Sequence, residues 1–204
     1  MRYASIRKID ISNGEGVGVA LFVQGCHFHC KNCFNSCTWD FSGGYEWTKE
    51  VKKYFFSLID RKYIDRVTIL GGEPLTDENV SEVCEIIHTI RERFPDKKIW
   101  LYTGYSFDRI VTDSINDFSF TGESNKYVLA RSTAVLSVDV VVDGLFKDEL
   151  KDYSLHWKGS SNQRVIDVKK TYKKYSDKLS SHISYCGTNC QYDTFLNECI
   201  VEIK

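Results

Sequence analysis

Proline is nearly missing from this chain of 204 residues, which holds only Pro74 and Pro95. With no low-complexity tract either, nothing announces an interdomain linker, and one main domain with a sizeable core is expected. Long apolar runs are also missing: Val17 to Val23 is far too short to cross a bilayer. The opening MRYASIRKIDIS is charged and lacks the apolar core of a signal peptide. A cytoplasmic protein with no membrane partner is the expectation. The net charge of −1 offers no bulk attraction for polyanions, so no nucleic-acid partner is expected.

Cysteine is what the chain has in excess, with eight residues. In a reducing compartment these favour metal binding or reactivity over a disulfide framework. Four of them crowd with two histidines into GCHFHCKNCFNSCTW, from Gly25 to Trp39. Cys26, Cys30 and Cys33 have the spacing C-x3-C-x2-C, and Cys37 follows four residues later. Structural zinc usually takes four ligands in two paired groups. Three thiolates on a four-iron cubane instead leave one iron free for a substrate or cofactor. The residues alone leave open an iron–sulfur cluster, zinc and inert thiols. Under zinc, His27 and His29 are further ligands; otherwise they are loop histidines bonded to backbone or water. Cys37 is either a fourth thiolate or a buried small residue.

Apolar periodicity supplies the frame. VGVALFVQG reads as a buried strand ending at Gly25. Val51, Tyr54, Phe55, Leu58 and Ile59 recur at helical spacing behind an N-cap at Thr48. RVTIL is a second strand, running into GGEPL. A second helix carries Val80, Val83, Cys84, Ile87, Ile90 and Phe94 on one face, which makes Cys84 a core residue. KIWLYTG and SVDVVVDG are two more strands, with a short helix capped by Ser106 between them. Asp113 to Thr133 reads equally as loop, helix or strand. Strands alternating with helices imply parallel pairing and an α/β fold.

From Lys169 the composition turns to Lys, Tyr and Ser, and Cys186, Cys190 and Cys199 follow. The expected division is an α/β domain over 1–171 and a Cys-containing extension over 172–204. The extension holds either a second metal, zinc or an auxiliary cluster completed by Cys37 or His182, or free thiols.

GGEPL stands at the carboxyl end of its strand, where open parallel sheets and barrels place ligands. Gly71 and Gly72 lack a Cβ, so another group can approach the main chain closely. Pro74 biases Glu73 toward an extended backbone, leaving carbonyls for an ammonium group. Alone, such a turn is more often structural. Together with the cysteine spacing, it is specific.

The pair resembles the radical S-adenosylmethionine superfamily. That resemblance implies a partial (β/α) barrel, open on one side. It implies that Cys26, Cys30 and Cys33 hold a 4Fe–4S cluster whose free iron chelates S-adenosylmethionine. Gly71, Gly72, Glu73 and Pro74 would hold the methionyl part, and Asn32, Cys33 and Phe34 would line the nucleotide. NGEG from Asn13, CFNSCTW, YTGY, VDVVVDGLF and WKGSSNQRVIDV narrow the likeness. Within the superfamily they resemble activating proteins of anaerobic (class III) ribonucleoside-triphosphate reductases. Gly18 departs from this pattern, standing where such proteins usually carry arginine.

The chemistry implied is one-electron cleavage of S-adenosylmethionine, followed by hydrogen abstraction from a glycine of the reductase. No general acid or base is required. The implied partners are the large reductase subunit, through its glycine loop, and a flavodoxin- or ferredoxin-type electron donor. Thr103 and Asp143, near strand ends, are candidates for the cofactor carboxylate, ribose or a nearby cation, against plain capping roles. Rival readings are another glycyl-radical activase, a 7-carboxy-7-deazaguanine synthase-like enzyme and a zinc-binding interaction module.

Overall fold

A computed structural model of the chain describes residues 1–121, 125–182 and 196–203. The elements run β1 (Arg2–Asp10), β2 (Gly18–Val23), β3 (Tyr45–Glu46), α1 (Lys49–Ile59), β4 (Arg66–Gly71) and α2 (Val80–Arg93). They continue with β5 (Lys98–Tyr102), α3 (Phe107–Thr121), α4 (Lys126–Leu136), β6 (Val140–Asp143), β7 (Arg164–Asp167) and α5 (Val168–His182). The seven strands make one open sheet in the order β3-β1-β2-β4-β5-β6-β7. Its four central strands are parallel, while β1 joins β2, and β7 joins β6, antiparallel. The mixed α/β class therefore stands, and the sheet does not close.

Alternation along each strand sorts side chains onto two buried faces. Val19, Leu21, Val67, Ile69, Ile99, Leu101 and Val141 share one face. There they meet Phe55 and Leu58 of α1, Ile86 and Ile90 of α2, Phe107 of α3 and Val135 of α4. Right-handed crossovers put successive helices on the same side of a parallel sheet. The opposite face carries Ala20, Phe22, Leu70, Trp100, Tyr102 and Val142, and no described helix contributes to those clusters. It is the face left for a ligand.

Low on that face lies Arg66, fully buried. Its Nη2 donates to Asp10 Oδ2 at 2.8 Å and its Nη1 to Thr68 at 2.6 Å. Burial alone would push the Asp10 carboxyl up, but bonds from Arg66 and Asn13 hold it below the ordinary value. Gly18 pairs with Arg66 across the sheet, and a Cβ at Gly18 would run into the guanidinium. The departure at Gly18 thus has a physical counterpart: the space is filled by an arginine from the neighbouring strand.

Several sequence expectations change. Of the described residues between Asp113 and Thr133, all but Asn125 fall in α3 or α4, and α3 is 15 residues long rather than short. Ser106 does not cap it by its hydroxyl, which donates to Asp108 at 2.9 Å. Asp143 accepts from the N–H of Phe107 instead, at 2.8 Å. Strand β1 escaped the sequence reading, because register shifts between Tyr3 and Ser5 and between Arg7 and Asp10 break its alternation. Thr48 does cap α1, accepting from Val51 N. Cys84 is half-buried, its Sγ bonded to Ala130 O at 3.2 Å.

The boundary expected after 171 falls inside α5. Thr171 is buried and accepts from Val201 N at 3.0 Å. Asp167 N donates to Val201 O at 2.8 Å and Ile203 N to Val165 O at 2.7 Å. Val201 to Ile203 are therefore laid along β7. No described helix is long and apolar enough to cross a membrane.

Candidate functional site

Strand β2 feeds directly into the cysteine loop, whose two ends are tied together. Gly25 N donates to Thr38 O at 2.8 Å and Cys26 N to Trp39 O at 3.0 Å. Inside it, His29 and Asn32 take the left-handed backbone, with φ of 47° and 53°. Such residues let a short loop reverse direction, at a cost that the surrounding contacts must offset. The result turns Cys26, Cys30 and Cys33 into one cavity of about 540 Å³ on the helix-free face. Cys37 is exposed and is not among its lining residues. His27 turns outward to Glu78 at 3.0 Å and lies on the Phe41 ring, while His29 lies on Trp39. Burial pushes the Cys26 and Cys30 thiols up from their ordinary value.

GGEPL forms the adjoining wall. Gly72 N donates to Val23 O at 2.9 Å and Glu73 N to Gly25 O at 2.8 Å. A Cβ on Gly72 would collide with that same Gly25 carbonyl, so only glycine permits the two loops to touch. Glu73 is 2% exposed and its carboxylate spans two strand ends. It accepts from Leu75 N at 2.9 Å, Thr103 Oγ1 at 2.8 Å and Gly104 N at 2.7 Å. Burial pushes its carboxyl up to about 7, against the downward pull of those donors.

The third wall is the long connection from β6 to β7. Its residues reach across to the cysteine loop: Asp148 accepts from Asn32 Nδ2 at 2.6 Å, and Phe146 meets Phe34 with centroids 5.1 Å apart. Gly159 lies close enough to Phe34 that a Cβ there would come within 2.8 Å of the ring. Gln163 fastens the connection to itself, accepting from the Gly159 and Ser160 N–H groups and donating to Gly144 O. Tyr102 on β5 donates to the carbonyl of Trp157, which holds a left-handed φ of 60°.

Of the expected site residues, Cys26, Cys30, Cys33, Phe34, Gly71, Gly72, Glu73 and Thr103 line the cavity. Asn32, Pro74 and Asp143 do not. Asp143 is buried beside α3, where Arg164 donates to both of its carboxylate oxygens. Cys199 is buried, while Cys186 and Cys190 lie outside the described residues. Sequence reasoning passed over Arg7, Asn13, Tyr102, Tyr153 and Trp157, which also line the cavity. The motifs holding Asn13, Tyr102 and Trp157 are visible in the sequence, but spacing alone cannot say which side chains turn inward.

Among the described residues, no three of His, Cys, Asp and Glu converge as ligands of one metal ion. Tetrahedral zinc would need sulfurs about 3.8 Å apart. Three cysteines lining one roomy cavity suit a wider group.

Comparison with known proteins agrees. Residues 12–166 match a family described as a 4Fe-4S single cluster domain. A phage T4 anaerobic ribonucleoside-triphosphate reductase-activating protein is 36% identical over 165 residues, covering 81% of this chain and 93% of the relative. Proteins of the same name from Escherichia coli K12 and Vibrio cholerae are each 34% identical over 167 residues, covering 81% of this chain and 97% of their own length. With sulfur, glycine and aromatic walls arranged as above, the chain belongs to the family of anaerobic ribonucleoside-triphosphate reductase-activating proteins.

Proposed function

We propose that the chain is a glycyl-radical activase: it binds a 4Fe–4S cluster through Cys26, Cys30 and Cys33, cleaves S-adenosylmethionine reductively, and leaves a radical on a glycine of anaerobic ribonucleoside-triphosphate reductase. One observation carries the reading, namely that three cysteines share a cavity with Gly71, Gly72 and the brace built on Glu73. When bound, cluster and cofactor supply the electron transfer and the hydrogen-abstracting radical.

The protein's own task is to hold, orient and exclude water. Phe22, Leu70 and Tyr102 give the cavity an apolar floor. The main chain at Gly71 to Pro74 is the seat for an ammonium and carboxylate group, kept in place by Glu73. Thr103 orients Glu73 and is in turn oriented by Tyr105 N at 3.1 Å. Cys33 and Phe34 border the nucleotide, with Asn32 fixing that turn through Asp148. The open sheet serves as the partial barrel of the radical S-adenosylmethionine type, working in the cytoplasm with a flavodoxin- or ferredoxin-type donor. No side chain is assigned as acid or base.

Anaerobic reconstitution should give about four irons per chain. Incubation with the reductase, S-adenosylmethionine and a one-electron reductant should give a glycyl radical by electron paramagnetic resonance. Cys30→Ala should lose both cluster and radical. Stoichiometric zinc with no iron would overturn the reading. Metal beyond one cluster that disappears in Cys186→Ala would place a second site in the tail.

A further inference from the structure

Two large aromatic side chains that line the cavity are open to solvent. Phe34 is 55% exposed and Tyr153 82%, and Leu145 and Leu150, at 39% each, belong to the same β6–β7 connection. Large apolar side chains gathered at one opening and rimmed by charge mark a protein-binding surface more often than a solvated one. Lys151 holds its ammonium 4.8 Å from the Phe34 centroid and 4.7 Å from the Tyr153 centroid. Among the described residues it makes no ion pair, so its charge is kept in place by rings alone. Its neighbours Asp148 and Asp152 have other partners: Asp148 takes Asn32, and Asp152 takes Ser154 N at 2.8 Å.

We propose that Phe34, Lys151 and Tyr153 form the docking surface for the reductase, taking an extended segment that places an apolar side chain on the rings and a carboxylate on Lys151. This inference rests on the function proposed above. A hydrogen held on a partner's main chain must come within about 3.5 Å of the reacting atom. The segment carrying it has to pass this opening, and a rigid pair of rings grips an extended chain with little loss of side-chain freedom. Lys151 adds register: a carboxylate opposite it fixes which residue reaches the cavity. The rings reach the cysteine loop through Phe34, so the docked segment and the metal-binding loop share one wall.

The test uses the full chain, reconstituted anaerobically, with its reductase. Three quantities are read: S-adenosylmethionine cleavage without reductase, the apparent KM for reductase, and the kcat of glycyl-radical formation. Lys151→Glu should raise that KM about tenfold, with cleavage and kcat unchanged. Lys151→Gln should raise it less, and the gap between the two variants should shrink in high salt. Tyr153→Phe should keep the wild-type KM, because the ring does the gripping, whereas Tyr153→Ala should raise it. A KM within twofold of wild type in both Lys151→Glu and Tyr153→Ala overturns the proposal while the activase reading stands. Wild-type protein that cleaves the cofactor yet forms no radical on the reductase overturns both.

Discussion

Glu73 carries three donors on one buried carboxylate, and those donors come from the ends of two strands. Free in an unfolded chain it ionises near its ordinary value of 4.5; in the folded protein it keeps its proton to about 7. Between those values the native state binds a proton that the unfolded state lacks. Its contribution to stability therefore falls as pH rises from about 4.5 to about 7 and is level above. Urea unfolding across that range should show this slope, and Glu73→Gln should flatten it. Glu73→Ala leaves all three donors unmet and should cost about 3 kcal/mol or more. The cysteines were legible because their chemistry is local, three thiols within eight positions. The brace was not, because Thr103 and Gly104 lie some 30 residues from Glu73 and nothing in their own stretch names a partner.

At the scale of elements, α3 begins against the end of β6. Asp143 accepts from Phe107 N and from Arg164, while Arg164 also donates to Asp108 at 2.5 Å. A carboxylate at a helix N-terminus is favoured by the unpaired N–H groups there. Breaking a pair buried on one side leaves the surviving charge short of solvent. Asp143→Ala should cost about 2–4 kcal/mol in urea unfolding, with iron content and cofactor affinity unchanged. A lowered cofactor affinity at full stability would return Asp143 to the cavity. The central strands were readable from their β-branched runs, since each is buried on both faces. α4 was not, because Ser132 and Ala134 give its buried side little contrast with the rest. β1 was missed for its bulges, and because a charged flanking strand lacks the apolar run that marks the centre.

For the molecule as a whole, the two faces of the sheet have different duties. Helices seal one, and loops from both flanks enclose the other. Val201 to Ile203 pair along the edge of β7, where Ile166 bridges Glu202 and Ile203 N reaches Val165 O. Removing residues 200–204 would strip that edge of its partner and expose a row of unpaired backbone groups. Such a truncated chain should melt lower than the full chain and elute partly as dimers or larger species in size exclusion. A monomeric truncation with unchanged Tm would mean that the terminal pairing is incidental.

The Gly25 carbonyl accepts from Glu73 N at 2.8 Å, one residue before Cys26 begins its own wall of the cavity. Under the proposed function, the seat for sulfur ligands and the seat for a methionyl group would hang from one peptide. That bond ties the two loops, so a shift of one would pull on the other.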